Sequence, residues 1–179
     1  MSIVLYFFVL IVVKAGMAVM EVFTVSLFGH RKIDDLRRLR NQLAPIVKEL
    51  IQTKSYVAFL IGRNGEFDEY VASVIKHHQK EVGKENSDIT LVLPYTVADL
   101  SYYEKYYDSV IIPESVCGAY PKSAITLKNR WMIRQSDLVI VYVERDKGGA
   151  YKAMKYAEKL DKKVMNLCTI SPYRSVKKS

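Results

Sequence analysis

Apolar stretches of strand length alternate with amphipathic stretches of helical length along most of the chain. The strand-like stretches cover residues 22–28, 56–61, 89–93, 110–112, 138–143 and 163–167. Between them, apolar side chains recur every three or four positions, as in helices with one buried face. Strands that alternate with helices indicate βαβ units. The pattern therefore predicts an α/β fold, a three-layer Rossmann-like sandwich with a mainly parallel sheet.

The stretch 138–143 is wholly apolar, which is typical of a parallel strand covered on both faces. We therefore expect it at the centre of the sheet.

Residues 94–109 carry several tyrosines and are predicted to form a loop between the third and fourth strands. These tyrosines either stack on a base or cover the core.

The first residues differ from the rest of the chain. Residues 3–13 form an unbroken apolar run that Lys14 ends, whereas a bilayer-spanning helix needs roughly 20 apolar residues. A signal peptide would carry basic residues before such a run. We interpret residues 1–19 as a leader outside the fold, either an overextended start or a membrane-facing segment. Residues 20–168 then form the domain, and 169–179 a basic tail.

Composition narrows the partners without identifying one. The 179 residues fit one domain, and a formal net charge of +8 with a pI near 9.3 favours phosphate-bearing or polyanionic ligands. Cys117 and Cys168 are far apart and lack zinc-site spacing, so they are expected to be free thiols in a cytoplasmic protein. Neither a metal nor a cofactor is expected.

A glycine followed by basic residues comes directly after the first predicted strand. In open α/β sheets, ligands bind beyond the carboxyl ends of the strands. Gly29 permits a sharp turn there, and His30 and Arg31 present hydrogen-bond donors for an anion. A solvated basic turn with a packed imidazole is the alternative.

Carboxylates dominate the loop after the second predicted strand. Gly65 opens a helix whose first turn contains Glu66 and Asp68. Acidic residues at this position often only balance the helix dipole. Because they repel phosphate, a functional role would be to bind ribose hydroxyls or to assist glycosidic chemistry. Glu66 is the tentative catalytic candidate.

Two further segments carry candidate ligand-binding residues. Gly148 and Gly149 enter the last predicted helix and are suited to cradle a phosphate, with Lys152 one turn further on. They could also be a simple turn between strand and helix. Asn129 lies among apolar residues of its helix and needs a polar partner. Arg130 pairs with either a phosphate or a carboxylate.

In combination, these motifs resemble the YpsA-like branch of the SLOG superfamily. Phe-Gly-His-Arg follows the first predicted strand, and Gly-Glu-Phe-Asp follows the second. Asn129-Arg130 lies in a helix and is followed by Ser136-Asp137, and Gly-Gly-Ala precedes the last helix. The superfamily also contains the Smf/DprA DNA-processing proteins and the LOG phosphoribohydrolases. The resemblance implies a Rossmann-like domain that binds a nucleotide or nucleotide-derived ligand, as a possible sensor or regulatory module. Its implied site residues are Gly29, His30, Arg31, Gly65, Glu66, Asp68, Arg130, Gly148 and Gly149.

One departure from the family pattern bears on catalysis. LOG enzymes carry a glutamate in the helix after the glycine turn, and Ala153 stands at that position here. The alternative function, an N-glycoside-cleaving phosphoribohydrolase or deoxyribosyltransferase-like enzyme, would therefore depend on Glu66. Binding of single-stranded DNA is a third, less favoured possibility. Whether a homo-oligomer completes the pocket is left open.

Overall fold

The computed structural model describes residues 21–63 and 65–169, which contain six strands and five α-helices. The strands are β1 Val22–Gly29, β2 Tyr56–Ile61, β3 Ser87–Val92, β4 Ser109–Ile111, β5 Leu138–Tyr142 and β6 Lys163–Asn166. The α-helices are α1 Leu36–Thr53, α2 Glu66–Val82, α3 Leu100–Tyr106, α4 Pro121–Gln135 and α5 Gly148–Lys159. The predicted α/β alternation is confirmed.

The six strands form one sheet in the order β4-β3-β2-β1-β5-β6, and every neighbouring pair is parallel. The Rossmann-like sandwich is thus confirmed. The prediction that residues 138–143 lie at the sheet centre was wrong by one place, because β2 and β1 are the middle strands. An apolar run indicates that both faces of a strand are covered, as they are in β5. It does not indicate the position of the strand in the sheet.

Helices cover both faces of the sheet and enclose two apolar clusters. The larger cluster combines α1 and α2 side chains such as Leu43 and Ile75 with β1 and β2. The second cluster places Met132 of α4 and Ala153 of α5 against the opposite face. The chain winds outward from β1 to β4 and then crosses back to β5. The winding therefore reverses between β1 and β5.

The segment predicted as a loop between the third and fourth strands contains a short helix. The N-terminus of α3 is capped by Asp99, whose Oδ1 accepts a hydrogen bond from the Tyr102 N–H at 3.3 Å. None of the α3 residues is buried. The helix lacks the fully apolar stripe that periodicity detects, so only its cap indicated it.

The predicted leader, residues 1–19, and the predicted basic tail, residues 169–179 apart from Thr169, lie outside the part of the chain that the structure describes. Within the described residues, no helix is both long and apolar enough to cross a bilayer.

Candidate functional site

A cavity of about 360 Å³ opens where the winding of the sheet reverses. The carboxyl ends of β1 and β5 are direct neighbours there, with Gly29 paired to Tyr142. We call this space the inner cavity. Eight of the predicted ligand-binding residues line it: Gly29, His30, Arg31, Gly65, Asp68, Asn129, Gly148 and Gly149. The loops after β1, β2 and β5 thus meet at one place, together with α4.

The loop after β1 is fixed against the start of α2. The Glu66 N–H donates to the Arg31 carbonyl at 2.9 Å, and the Glu66 carboxylate accepts from the Ile33 N–H at 3.1 Å. A Cβ on Gly65 would lie 2.7 Å from the Arg31 Cα, closer than real atoms approach. Glycine is therefore required for the two loops to pack this closely.

Glu66, the tentative catalytic residue, is exposed and does not line the inner cavity. Its carboxylate is engaged by the loop after β1. Asp68, two residues further along α2, does line the cavity. The geometry therefore gives Glu66 a positioning contact and makes Asp68 the carboxylate that a ligand would meet.

Lys128 of α4 is a site residue that the sequence analysis missed. It lines the inner cavity, yet its side chain is only 3% exposed. A Cβ on Gly62 would lie 2.9 Å from Lys128 Nζ and 3.2 Å from Asp68 Oδ2. Burial lowers the pKa of Lys128, and the nearby Asp68 charge acts in the opposite direction. The sequence signal for this burial was the helical spacing. Lys128 lies four residues from both Ala124 and Met132, which are buried on the same face of α4.

The N-terminus of α5 faces the cavity without a side-chain cap. Lys147 is at the N-cap position and makes no capping hydrogen bond through its side chain. Gly148 adopts φ 91°, a conformation that favours glycine. A Cβ on Gly149 would meet no atom within 4 Å, so the backbone there faces open space. Uncapped N–H groups and the helix dipole give this position a positive electrostatic potential.

His30 lies beside this helix end. Its Nδ1 is 3.8 Å from where a Gly148 Cβ would be. Its Nε2 is buried and has no hydrogen-bond partner among the described residues. A buried polar nitrogen without a partner costs free energy, so an incoming acceptor would relieve an existing penalty.

Two predicted ligand-binding residues lie elsewhere. The Arg130 guanidinium is exposed and lies 5.1 Å from the centre of the Tyr156 ring, a cation–π contact. Lys152 is exposed on α5. Neither is among the residues that line the inner cavity. Arg130 therefore has a structural partner, although an aromatic ring and not a carboxylate.

Among the tyrosines around α3, one contributes to the core, and base stacking by the others stays a prediction. Tyr107 is buried in the core, and Tyr103 accepts a hydrogen bond from Arg63 Nη1 at 2.8 Å. Tyr102 is 68% exposed and available for contacts.

The fold and site define a class, the Rossmann-like parallel α/β proteins with a cavity at the reversal point of the sheet. No family model and no curated protein matches the chain. Among solved structures, DNA processing protein A from Streptococcus pneumoniae is similar, with a TM-score of 0.60 and 14% identity over 79% of this chain and 49% of that chain.

The corresponding protein from Helicobacter pylori, whose structure addresses its single-stranded DNA binding mode, gives a TM-score of 0.57 and 15% identity over 79% of this chain and 63% of that one. This chain thus matches only about half to two-thirds of each solved chain. At this identity the likeness establishes a fold shared with DNA processing protein A.

Proposed function

We propose that the inner cavity binds a nucleotide or nucleotide-derived ligand, with a phosphate at the N-terminus of α5. The observation that carries the proposal is the uncapped helix end at Gly149, which opens into a cavity at the reversal point of a parallel sheet. Such helix ends are recurrent phosphate sites in α/β folds. A sensor or regulatory module is the role that fits best.

Each lining group has a part in this proposal. Backbone N–H groups at Gly149 and Ala150 donate to the phosphate oxygens, and the ammonium of Lys128 supplies the compensating charge. His30 Nε2, when it carries the proton, donates to the same group. Asp68 repels phosphate, so it is placed to accept hydrogen bonds from the ribose hydroxyls.

Binding is favoured over N-glycoside cleavage because of what occupies the two positions at which a catalytic carboxylate would be expected. Glu66 is held by the Ile33 N–H, and Ala153 is a small buried residue. Neither position offers a free carboxylate to the cavity. Asp68 is the remaining candidate base, and released nucleobase on incubation with nucleoside monophosphates, lost in Asp68→Asn, would restore the enzymatic alternative.

Thermal unfolding with ligands tests the binding proposal. AMP, GMP, CMP and UMP are compared with adenosine and with inorganic phosphate. A ligand that binds only the folded chain adds about 2.7 kcal/mol of stability at 100 times its Kd. We expect at least one monophosphate to raise the Tm more than adenosine or phosphate does. No shift with any of these ligands would overturn the proposal.

Gly149→Ala is the matched variant. The added methyl group has room in the unliganded structure, and alanine in a helix is about 0.5–1 kcal/mol more favourable than glycine. We expect a stable protein whose nucleotide-induced Tm shift is lost, because the Cβ occupies the approach to the helix end. Ser73→Ala, on the exposed face of α2, is the control that raises helix propensity away from the cavity.

A second candidate is single-stranded DNA, favoured by the shared fold with the Helicobacter pylori protein and by the +8 net charge. Phosphate contacts along a strand make affinity fall steeply as salt rises. A flat salt response of oligonucleotide affinity would exclude this candidate. The slope of that salt dependence therefore separates it from the binding of a single nucleotide.

We further infer membership of the YpsA-like branch and a cytoplasmic location. The order of the four motifs supports the first. Cys117 and Cys168 are free thiols among the described residues, which agrees with the second. The first inference is tested by measuring whether the protein binds small nucleotides in the absence of DNA. The second is tested by cell fractionation, in which we expect the protein in the cytoplasmic fraction.

A further inference from the structure

A second, larger cavity lies next to the inner cavity. It measures about 660 Å³, and we call it the outer groove. His30, Arg31 and Gly148 line both spaces. The outer groove therefore borders the inner cavity at the start of α5.

The outer groove is strongly basic. Its lining contains the four cationic side chains Arg31, Lys32, Arg145 and Lys147, with Asp34 as its one carboxylate. That carboxylate is already paired, because Arg145 Nη2 lies 2.9 Å from Asp34 Oδ2. Three positive charges therefore have no carboxylate partner in the lining. Like charges gathered on one surface repel each other and attract anions.

The inner cavity has a different charge balance. Its buried cation, Lys128, lies near the Asp68 carboxylate. The inner cavity thus provides for one anionic group together with hydroxyls. The excess positive charge of the outer groove is not needed for a ligand that carries only that one group.

The backbone that carries the basic side chains is held in place. The Arg31 carbonyl accepts from the Glu66 N–H at 2.9 Å, and the Lys147 N–H donates to the Arg145 carbonyl at 2.7 Å. The ion pair between Arg145 and Asp34 also joins the loop after β5 to the loop after β1. A groove of fixed backbone loses less conformational entropy when a ligand binds.

We infer that the outer groove is a second anion subsite, which takes a further phosphate of a ligand whose first phosphate lies at the N-terminus of α5. The inference rests on the proposed function and narrows it. The ligand is then a nucleotide with at least two phosphates, joined either as a diphosphate or through a phosphodiester. Lys32 and Lys147, which line only the outer groove, are the residues that distinguish it from a monophosphate.

Equilibrium binding of AMP, ADP, the dinucleotide pApA and a four-nucleotide oligodeoxyadenylate tests the inference. A charge-assisted hydrogen bond contributes about 1.5–3 kcal/mol, so we expect about tenfold or tighter binding when the second phosphate is present. A gain with ADP identifies a diphosphate, and a gain confined to pApA and the oligonucleotide identifies a phosphodiester. Because the groove is open, the gain should shrink at about 0.5 M salt.

The double variant Lys32→Gln/Lys147→Gln should abolish this gain and leave AMP affinity unchanged. Both side chains are exposed, so the fold should persist, and the Tm checks that it does. The matched control is Lys122→Gln/Lys159→Gln, which removes two exposed charges from α4 and α5 away from the groove.

Equal affinities for AMP and the longer ligands, or a gain that survives in the double variant, would overturn the second subsite while leaving nucleotide binding intact. A chain that binds none of these probes overturns the proposed function and, with it, this inference.

Discussion

Replacing Lys128 with methionine should make the protein more stable and less able to bind its ligand. Lys128 is 3% exposed, and burial disfavours its charged form. Methionine keeps an unbranched chain of similar length and needs no hydration. Asp68 is partly exposed, so the replacement does not leave a fully buried carboxylate without a partner. Removing the buried ammonium recovers a desolvation cost of several kcal/mol, from which the lost attraction to Asp68 is subtracted.

The stability gain should depend on pH in a defined direction. The folded-state pKa of Lys128 lies below its unfolded value, so the cost of the buried ammonium is complete below the folded pKa. The cost falls as pH rises from there towards the unfolded pKa of about 10.4. Chemical denaturation from pH 7 upwards should therefore show the advantage of Lys128→Met shrinking in the alkaline range.

Binding should change in the opposite direction. Loss of one charge-assisted hydrogen bond costs about 1.5–3 kcal/mol, which corresponds to about 10- to 150-fold weaker nucleotide binding. Lys122→Met on the exposed face of α4 is the control and should change neither quantity much. A Lys128→Met protein that binds nucleotide normally, or that is less stable than the wild type at pH 7, would refute the reasoning.

Three further substitutions test other contacts. Glu66→Gln can still accept a hydrogen bond from the Ile33 N–H and should retain ligand affinity. Glu66→Ala should lose about 1 kcal/mol of stability in a denaturation experiment and should bind the ligand more weakly. Loss of nucleobase release in both variants would instead support catalysis by Glu66. Asp88→Asn should stabilise the protein at pH 7, because burial raises the pKa of Asp88 and its Oδ1 lacks a partner among the described residues. That advantage should disappear below about pH 4, where an ordinary aspartate is protonated; a pH-independent difference would contradict it. Gly29→Ala would place a Cβ 2.2 Å from Phe67 Cδ2 and should cost about 1–3 kcal/mol in a denaturation experiment; an unchanged midpoint would argue against the tight packing of this loop.

The sequence predicted the strands and four of the α-helices because their signals are local. Runs of β-branched residues define β1 and β5, and a stripe repeated every three or four residues defines α1 and α2. The glycine loops were recognised for the same reason, since each follows its strand directly. Because parallel strands present their carboxyl ends at one edge, eight predicted residues could be expected to lie at one site.

Only the tertiary structure decided which loops meet and what each side chain does there. The pairing of β1 with β5 joins residues more than 100 positions apart, and no periodicity within either strand records it. The same long-range packing buries Lys128, engages Glu66 with Ile33 and gives Arg130 an aromatic partner. A residue's type limits its chemistry, but its burial and its neighbours determine which part of that chemistry it uses.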